Sequence, residues 1–258
     1  LYQGYLDACR TFKWEKDGKD NKEYIREIFE EKEIVGDMKN YLRADKLESF
    51  DEIHKKICVN LIEKCKERTN MTYGQAQKII NMAFKYLYCC KHDSAMEERF
   101  KACHMPLDSF SLEWFKRKFK EKNFSNLDSY SENNKELPEN LFTKKGEKKL
   151  KAESIGSWSS MQTWEEDCKK QEYPYEFYAH VIKQYCKENS ITPLQLDFIV
   201  WSKMQKIMAA ESFIKTFKDD DEENKEVINS EELEPYDILN LKTTLENRLS
   251  EIRPLICK

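Results

Sequence analysis

The sequence predicts an all-α protein, and three observations support this prediction. Only 6 Gly, 6 Pro and 5 Val occur among the 258 residues, whereas Lys, Glu and Leu are abundant. Such a scarcity of turn formers and β-branched residues disfavours sandwiches, barrels and doubly wound sheets. Apolar residues also recur at helical spacing along most of the chain. With 36% charged side chains and a mean hydropathy of -0.84, we expect a soluble protein with one large domain or two small ones.

Helical periodicity divides the first half of the chain into four elements. Two helices are expected within residues 21–47, with an interruption near Gly36, and a third helix at 53–67. A short break at 70–74 precedes a dense apolar run at 75–88. Because apolar residues cover most of this run, it is predicted to be the most buried element of the protein.

The polar block from residue 123 to residue 160 separates two helical regions. A helix is predicted just before it, at 109–122, and the block itself is interpreted as a long connection. The chain therefore divides into N-terminal helices that pack with the C-terminal lobe, a core, a polar linker or insertion, and a C-terminal helical lobe. The expected boundaries of these four regions are 1–50, 51–125, 126–160 and 161–258.

Three helices are expected in the C-terminal lobe. The first spans 175–189, and the last, at 236–252, repeats apolar residues at helical spacing. Between them, Thr192 is placed as an N-cap, Pro193 at the first helical position and Gln195 three residues after the cap. Since a capping box and a Pro at this position are typical of helix N-termini, a helix is predicted to begin here.

Basic residues are concentrated in one part of the chain. The net charge is -4, but residues 54–122 carry 15 Lys and Arg against 8 Asp and Glu. Because phosphate contact depends on clustered cations, this basic segment is compatible with a nucleic-acid partner; an ordinary solvated face explains it equally well. The nine cysteines are scattered through apolar helical patterns, which indicates free thiols and a reducing cytoplasm. No apolar run has the roughly 20 residues of a spanning helix, so no membrane association is expected.

The most informative stretch of the sequence is 72–122. In its first helix, Gln75, Lys78, Asn81 and Lys85 form a polar stripe across an otherwise apolar surface. Asp108 follows about thirty positions after Lys78 and stands at the start of the next helix. That helix carries a run of basic residues, namely Lys116, Arg117, Lys118 and Lys120.

Two motifs in this stretch resemble the core of the helix-hairpin-helix base-excision DNA glycosylases. Gly74-x-x-x-Lys78-x-x-Asn81 is similar to the second helix of that core, and Pro106-Leu107-Asp108-Ser109-Phe110 is similar to its Val-Asp-Thr segment. The resemblance covers about fifty residues and implies a two-lobed bundle of helices. Because the four-cysteine loop of the iron-sulfur members is absent, neither a metal nor another cofactor is expected.

The resemblance implies removal of a modified base that is flipped out of duplex DNA. Asp108 would then be the catalytic carboxylate, and Lys78 the amine that attacks the sugar in members with strand-cleaving lyase activity. Contacts with DNA would come from Gly74, Gln75, Asn81, Lys85, Lys116, Arg117, Lys118 and Lys120. Stacking on the extruded base would be the role of Tyr73, Phe110 and Trp114.

The chain as a whole also resembles a set of uncharacterised bacterial proteins. They share Gly-x-x-Gln-Lys-x-x-Asn-Met, which begins here at Gly74, a Trp-Ser segment as at Trp158, and a Pro-Leu helix as at Pro193. This second resemblance implies a prokaryotic source but no particular activity. Antiphage defence against modified phage DNA, or DNA repair, would fit the implied chemistry.

Each candidate residue also has a structural interpretation. Asp108 lies where an N-cap belongs, Lys78 can be an ordinary solvent-facing lysine, and Asn81 can bond a neighbouring loop. The aromatic side chains can simply fill the core. The alternative function is therefore a non-catalytic helical module that binds nucleic acid or protein. Convergence of Lys78 and Asp108 on one cleft would favour the enzyme, whereas a Lys78 that points to bulk water would favour the module.

A zinc site is a second possible centre in this region. Soft ligands stand on both sides of a ten-residue loop, at Cys89, Cys90, His92, Cys103 and His104. Adjacent residues on a helix point about 100° apart, however, and the usual Cys-x2-Cys pair is missing. We therefore expect no metal here.

Overall fold

The computed structural model describes residues 1–14, 21–43, 49–90, 94–119, 155–163 and 173–219, together with Thr243, Asn247 and Ser250. These residues form helices and two short 3-10 turns, and within them no β-strand is present. The all-α prediction is therefore confirmed for the described chain. None of the described helices combines the length and the apolar character that crossing a membrane requires.

The structure describes nine principal α-helices among these residues. They are α1 (Tyr2–Ala8), α2 (Asn21–Glu30), α3 (Lys32–Arg43), α4 (Phe50–Cys65), α5 (Tyr73–Cys89), α6 (Ser94–Ala102), α7 (Ser109–Phe119), α8 (Tyr175–Glu188) and α9 (Pro193–Asp219). The two 3-10 turns are Cys9–Thr11 and Trp158–Ser160.

Helix α5 is the central element of the fold. Its N-cap Thr72 and Gln75 form a reciprocal capping box, with distances of 3.0 and 3.1 Å. It packs against α1, α4, α6 and the turn Trp158–Ser160. Gly4 of α1 allows an especially close approach, since a Cβ there would stand 2.4 Å from the carbonyl oxygen of Ile79. Because neighbours surround α5, its polar stripe lies inside the protein and not on a solvated face.

A second packing unit joins α7 to α9. Arg117 of α7 makes a bidentate ion pair with Glu211 of α9, with N–O distances of 3.0 and 2.7 Å. Aromatic rings pack between α7 and α8, where Phe115 contacts Phe177 and Tyr178 edge to face. These contacts hold α7 against α8 and α9.

Local start signals were predicted well and one interruption was predicted wrongly. The α9 capping box forms as expected, with Thr192 N donating to Gln195 at 2.9 Å. The break between α2 and α3 falls at Glu31 and not near Gly36, which lies inside α3 with no neighbour within 4 Å of a Cβ. Glycine lowers helix propensity by only about 1 kcal/mol, and the amphipathic packing of α3 outweighs this cost.

Two other predicted segments are described only in part. Of the helix expected at 236–252, only Thr243, Asn247 and Ser250 are described, and all three are helical. Of the expected linker at 126–160, the described part begins at Ile155, which is buried. The remainder of both segments lies outside the described residues.

Candidate functional site

Lys78 and Asp108 meet inside the protein. Lys78 Nζ lies 3.4 Å from Asp108 Oδ2, and the two side chains are only 11% and 12% exposed. Helix α5 supplies the amine and the start of α7 supplies the carboxylate. An amine and a carboxylate withdrawn from water in this way have lost much of their hydration, so each depends strongly on the other.

The two carboxylate oxygens of Asp108 have different partners. Its Oδ1 accepts hydrogen bonds from the backbone N–H groups of Phe110 at 2.9 Å and Ser111 at 3.0 Å, which makes it the N-cap of α7. Ser111 returns the contact, because its hydroxyl accepts from Asp108 N at 2.6 Å. The capping interpretation is therefore correct, and it leaves Oδ2 directed at Lys78.

Trp158 covers the amine from the other side. The centroid of its ring lies 4.5 Å from Lys78 Nζ, within the range of a cation–π contact. The segment that carries Trp158 is held against α5 by two hydrogen bonds: Gly74 N donates to Met161 O at 2.8 Å, and Thr72 Oγ1 donates to Ser159 O at 2.6 Å. Trp158 is partly exposed, so its ring forms part of the surface beside the buried pair.

A second amine and carboxylate pair lies two turns further along α5. Lys85 Nζ is 2.5 Å from Asp197 Oδ2 of α9. Burial raises the pKa of Asp197 to about 6; Lys85 acts against this rise, and Asp108 adds to it. The ring centroids of Phe198 and Trp201 lie 4.7 and 5.9 Å from the same amine.

Several residues expected to contact DNA are engaged within the protein. The N–H of Gly74 is bonded to Met161 and is therefore not open to a phosphate. Gln75 belongs to the capping box and donates to Thr11 O at 2.8 Å, and Asn81 has no exposed surface. Arg117 is neutralised by Glu113 and Glu211.

The other basic candidates differ in their surroundings. Lys85 is paired with Asp197, whereas Lys116 and Lys118 are partly exposed on α7. Lys118 Nζ also lies 5.2 Å from the ring centroid of Tyr185. Lys120 lies outside the described residues. Lys116 and Lys118 are thus the two described lysines of the basic run, and both are partly exposed.

The three aromatic residues expected to stack on a base are not equivalent. Tyr73 and Trp114 are each only 2% exposed, because α5 and α7 turn these rings into the core. Phe110 is partly buried and contacts Trp201 edge to face at 6.0 Å. In this conformation, Phe110 alone among the three offers a ring beside Asp108, and Trp158 is an additional ring that the sequence did not single out.

The described cavities lie away from this pair. One of about 710 Å³ is walled mainly by apolar side chains of α1, α2, α3, α5 and α6, and another of about 580 Å³ lies between α6, α8 and the start of α9. Neither is lined by Lys78 or Asp108.

Behind the pair lies a buried polar cluster that the sequence did not reveal. His104 Nδ1 lies 2.7 Å from the hydroxyl of Tyr175, and His104 Nε2 lies 2.6 Å from Asp51 Oδ1. The ring of His54 stacks on Tyr175 with centroids 5.2 Å apart. These residues are far apart in the sequence and form no motif with a recognisable spacing. Only their positions within apolar helical patterns indicated that they could be buried.

The described residues among the candidate zinc ligands do not come together as a metal site. Cys103 is buried, Cys89 and Cys90 are exposed, and His104 is bonded to Asp51 and Tyr175. His92 lies outside the described residues. Within the described part of the chain, no group of three or more metal-ligating side chains is close enough to hold an ion.

We expect acid to destabilise the protein, because the histidines of the described chain are withdrawn from water. Burial lowers the pKa of His104 and of His180 to about 4 from 6.5, and lowers that of His54 well below 6.5. The folded state therefore binds fewer protons than the unfolded state below pH 6.5, so stability falls as the pH drops from 6.5 towards 4. His104 alone should contribute about 3 kcal/mol to this loss.

Urea unfolding at pH 7, 6, 5 and 4 measures this effect. Asp197 acts in the opposite direction, because its raised pKa lets the folded state take up a proton between pH 6 and 4. The variant Asp197→Asn should therefore lose stability more steeply with acid than the wild type does. A free energy of unfolding that stays constant from pH 7 to pH 4.5 would contradict the prediction.

Similarity to known proteins was tested at three levels. Comparison of the chain with family models, with curated proteins and with solved structures gave no match at any of them.

Proposed function

We propose that the chain is a DNA glycosylase-like enzyme that excises a modified base by base flipping, in bacterial repair or antiphage defence. The observation that carries the proposal is the contact between Lys78 Nζ and Asp108 Oδ2 at 3.4 Å. These are the two residues to which the helix-hairpin-helix resemblance assigns the chemistry. They come from separate helices, thirty positions apart, and converge beside a partly exposed aromatic ring.

The proposed chemistry divides the work between the two groups. Cleavage of an N-glycosidic bond builds positive charge on the sugar, and the Asp108 carboxylate stabilises that charge. Lys78, once its ammonium has lost a proton to water, attacks C1′ with its lone pair while Asp108 stays ionised. The bond from C1′ to the base breaks, and the base leaves with its electrons and takes up the proton that the newly bonded Lys78 nitrogen releases. Opening of the sugar ring then gives a Schiff base, from which elimination of the 3′ phosphate cuts the strand.

The rigid hold on Asp108 supports this assignment. Two backbone N–H groups at the start of α7 fix Oδ1, so Oδ2 keeps one direction towards the reacting amine. A preorganised carboxylate stabilises developing charge without having to reorient during the reaction. Trp158 lies over the Lys78 amine, and Phe110, whose backbone N–H bonds Asp108, packs its ring on Trp201. Both rings are partly exposed and would stack on the extruded base.

The non-catalytic module remains the second candidate, and a specific surface favours it. Phe198 and Trp201, three positions apart on one face of α9, are each at least 40% exposed, and so is the neighbouring Ile199. Apolar side chains grouped in this way are typical of interaction surfaces. In that case Lys78 and Asp108 would join α5 to α7 without taking part in a reaction.

A borohydride trap separates the two candidates. Wild-type protein incubated with duplex DNA carrying an abasic site should give a covalent adduct when sodium borohydride reduces the Schiff base. Lys78→Gln should give none, whereas Lys66→Gln, which removes an exposed lysine at the end of α4, should give as much as the wild type. Adduct formation by Lys78→Gln at the wild-type level would exclude Lys78 as the nucleophile.

A further inference from the structure

The segment between α6 and α7, which ends at Asp108, is buried although it is not helical. Residues 103–108 connect α6 to α7, and every one of them is buried. Backbone N–H and C=O groups in such a position need partners, because an unpaired buried polar group is costly. Gln77 provides both partners for Leu107: its Oε1 accepts from Leu107 N at 3.2 Å, and its Nε2 donates to Leu107 O at 2.8 Å.

Gln77 connects the two reacting groups through the backbone. It is the neighbour of Lys78 on α5, and the residue that it clamps is the neighbour of Asp108. The distance between the amine and the carboxylate is therefore fixed by the orientation of a single amide side chain. Gln77 has no exposed surface, so water does not replace either of its hydrogen bonds.

A chain of hydrogen bonds holds that amide in place. Asn81 Nδ2 donates to Gln77 Oε1 and to the hydroxyl of Tyr175, in both cases at 3.0 Å. The hydroxyl in turn donates to His104 Nδ1, at 2.7 Å. His104 Nε2 then donates to Asp51 Oδ1 at 2.6 Å.

The direction of every bond in this chain is consistent with a single arrangement of protons. His104 must be neutral, with its proton on Nε2, in order to accept from Tyr175 and donate to Asp51. Burial lowers the pKa of His104 to about 4, which favours this neutral form. Asp51, the last acceptor in this chain of hydrogen bonds, lies near the surface. Its Oδ1 is held by Lys183 Nζ at 2.6 Å.

We propose that Tyr175 is a positioning residue, which acts through Asn81 and Gln77 to hold Asp108 within reach of Lys78. This inference rests on the proposed function. Loss of the Tyr175 hydroxyl would leave His104 Nδ1 without this partner, and would leave Asn81 Nδ2 with Gln77 Oε1 and the longer 3.5 Å contact to Met105 O. Networks of this kind depend on every member being satisfied. Asn81 and then Gln77 would reorient, and the 104–108 segment would shift relative to α5.

The experiment compares Tyr175→Phe with Tyr185→Phe. Both substitutions remove one hydroxyl from α8, but Tyr185 packs its ring on Trp114 and Phe119 and lies outside the chain of hydrogen bonds. We expect Tyr175→Phe to lower kcat for base release at least tenfold with KM changed less than twofold, because positioning acts on the reaction and not on DNA binding. Tyr185→Phe should leave both constants near the wild-type values.

A second readout needs no activity. Acylation of lysines by an activated ester, followed by peptide mass spectrometry, reports how firmly each amine is held. Lys78 and Lys85 lie on the same helix and are 11% and 12% exposed. Tyr175→Phe should raise the acylation rate of Lys78 relative to Lys85 at least threefold, whereas general loosening would raise both rates together.

The two readouts separate failure of this inference from failure of the proposed function. If the protein releases no base but the ratio of Lys78 to Lys85 acylation rises in Tyr175→Phe, positioning stands and the glycosylase proposal fails. If Tyr175→Phe folds poorly, Asp51→Ala tests the chain from its half-exposed end and should raise the same ratio by a smaller factor. An unchanged ratio in every variant that folds overturns the inference, whatever the activity.

Discussion

Asp108→Asn should reduce base release by about a thousandfold, which corresponds to about 4 kcal/mol of lost transition-state stabilisation. The amide keeps the shape of the side chain and an oxygen for the N–H groups of Phe110 and Ser111, but it carries no charge for the sugar cation or for Lys78. Stability should fall by about 3 kcal/mol, because the cap survives but Lys78 is left as a largely buried charge without its partner. Single-turnover release of the base and urea unfolding measure the two effects.

Ser111→Ala is the matched control for this substitution. It removes the hydroxyl that accepts from Asp108 N at 2.6 Å and leaves the carboxylate in place. Stability should fall by about 1 kcal/mol, with base release changed only slightly. If Asp108→Asn and Ser111→Ala have equal effects on base release, Asp108 acts as a cap and not as a reacting group.

Gly74→Ala should destabilise the protein by about 3 kcal/mol or more. A Cβ at this position would stand 1.8 Å from the carbonyl oxygen of Trp158 and 3.0 Å from Met161 Cβ. Because the obstacle is backbone, no change of rotamer relieves the clash. Residues 157–161 would have to move away from α5. This movement would break the hydrogen bond from Gly74 N to Met161 O and the contact of Trp158 with Lys78.

Gly36→Ala provides the comparison. It lies within α3, and nothing stands within 4 Å of a Cβ there. Alanine is the better helix former, so this variant should gain about 0.5 to 1 kcal/mol. Thermal unfolding of the two variants side by side, with tryptophan fluorescence as the probe, measures both effects. A Gly74→Ala variant as stable as the wild type would show that the 157–161 segment does not pack on α5.

Signals that lie within a few residues of one another were enough to place several helices. Thr192 and Gln195 form the predicted capping box, because a cap is satisfied by its own first turn. Thr72 and Gln75 form a second capping box with the same spacing, although Thr72 was predicted only as part of the break before the helix. The motif resemblance likewise selected Lys78 and Asp108, which do meet. The borohydride trap and the Asp108→Asn variant test whether this contact takes part in a reaction.

Features that depend on how distant segments pack were not predictable. The stripe on α5 looks amphipathic in sequence, but Gln77, which lies beside it, and Asn81 are fully buried because Leu107 and Tyr175 supply their hydrogen-bond partners. Trp158 belongs to a block whose composition indicates a linker, and only the absence of a side chain at Gly74 lets it dock. Asp197, within an apolar helical run, was the one buried charge that the sequence pattern could have revealed.

Lys78, Lys85 and Arg117 each have a carboxylate within 3.4 Å, so these three cations are already compensated before any polyanion arrives. Contact of these three side chains with a nucleic acid would then release few of the counterions condensed along its backbone. Their contribution to its affinity would change little with ionic strength, so any steep dependence on salt would have to come from other basic residues.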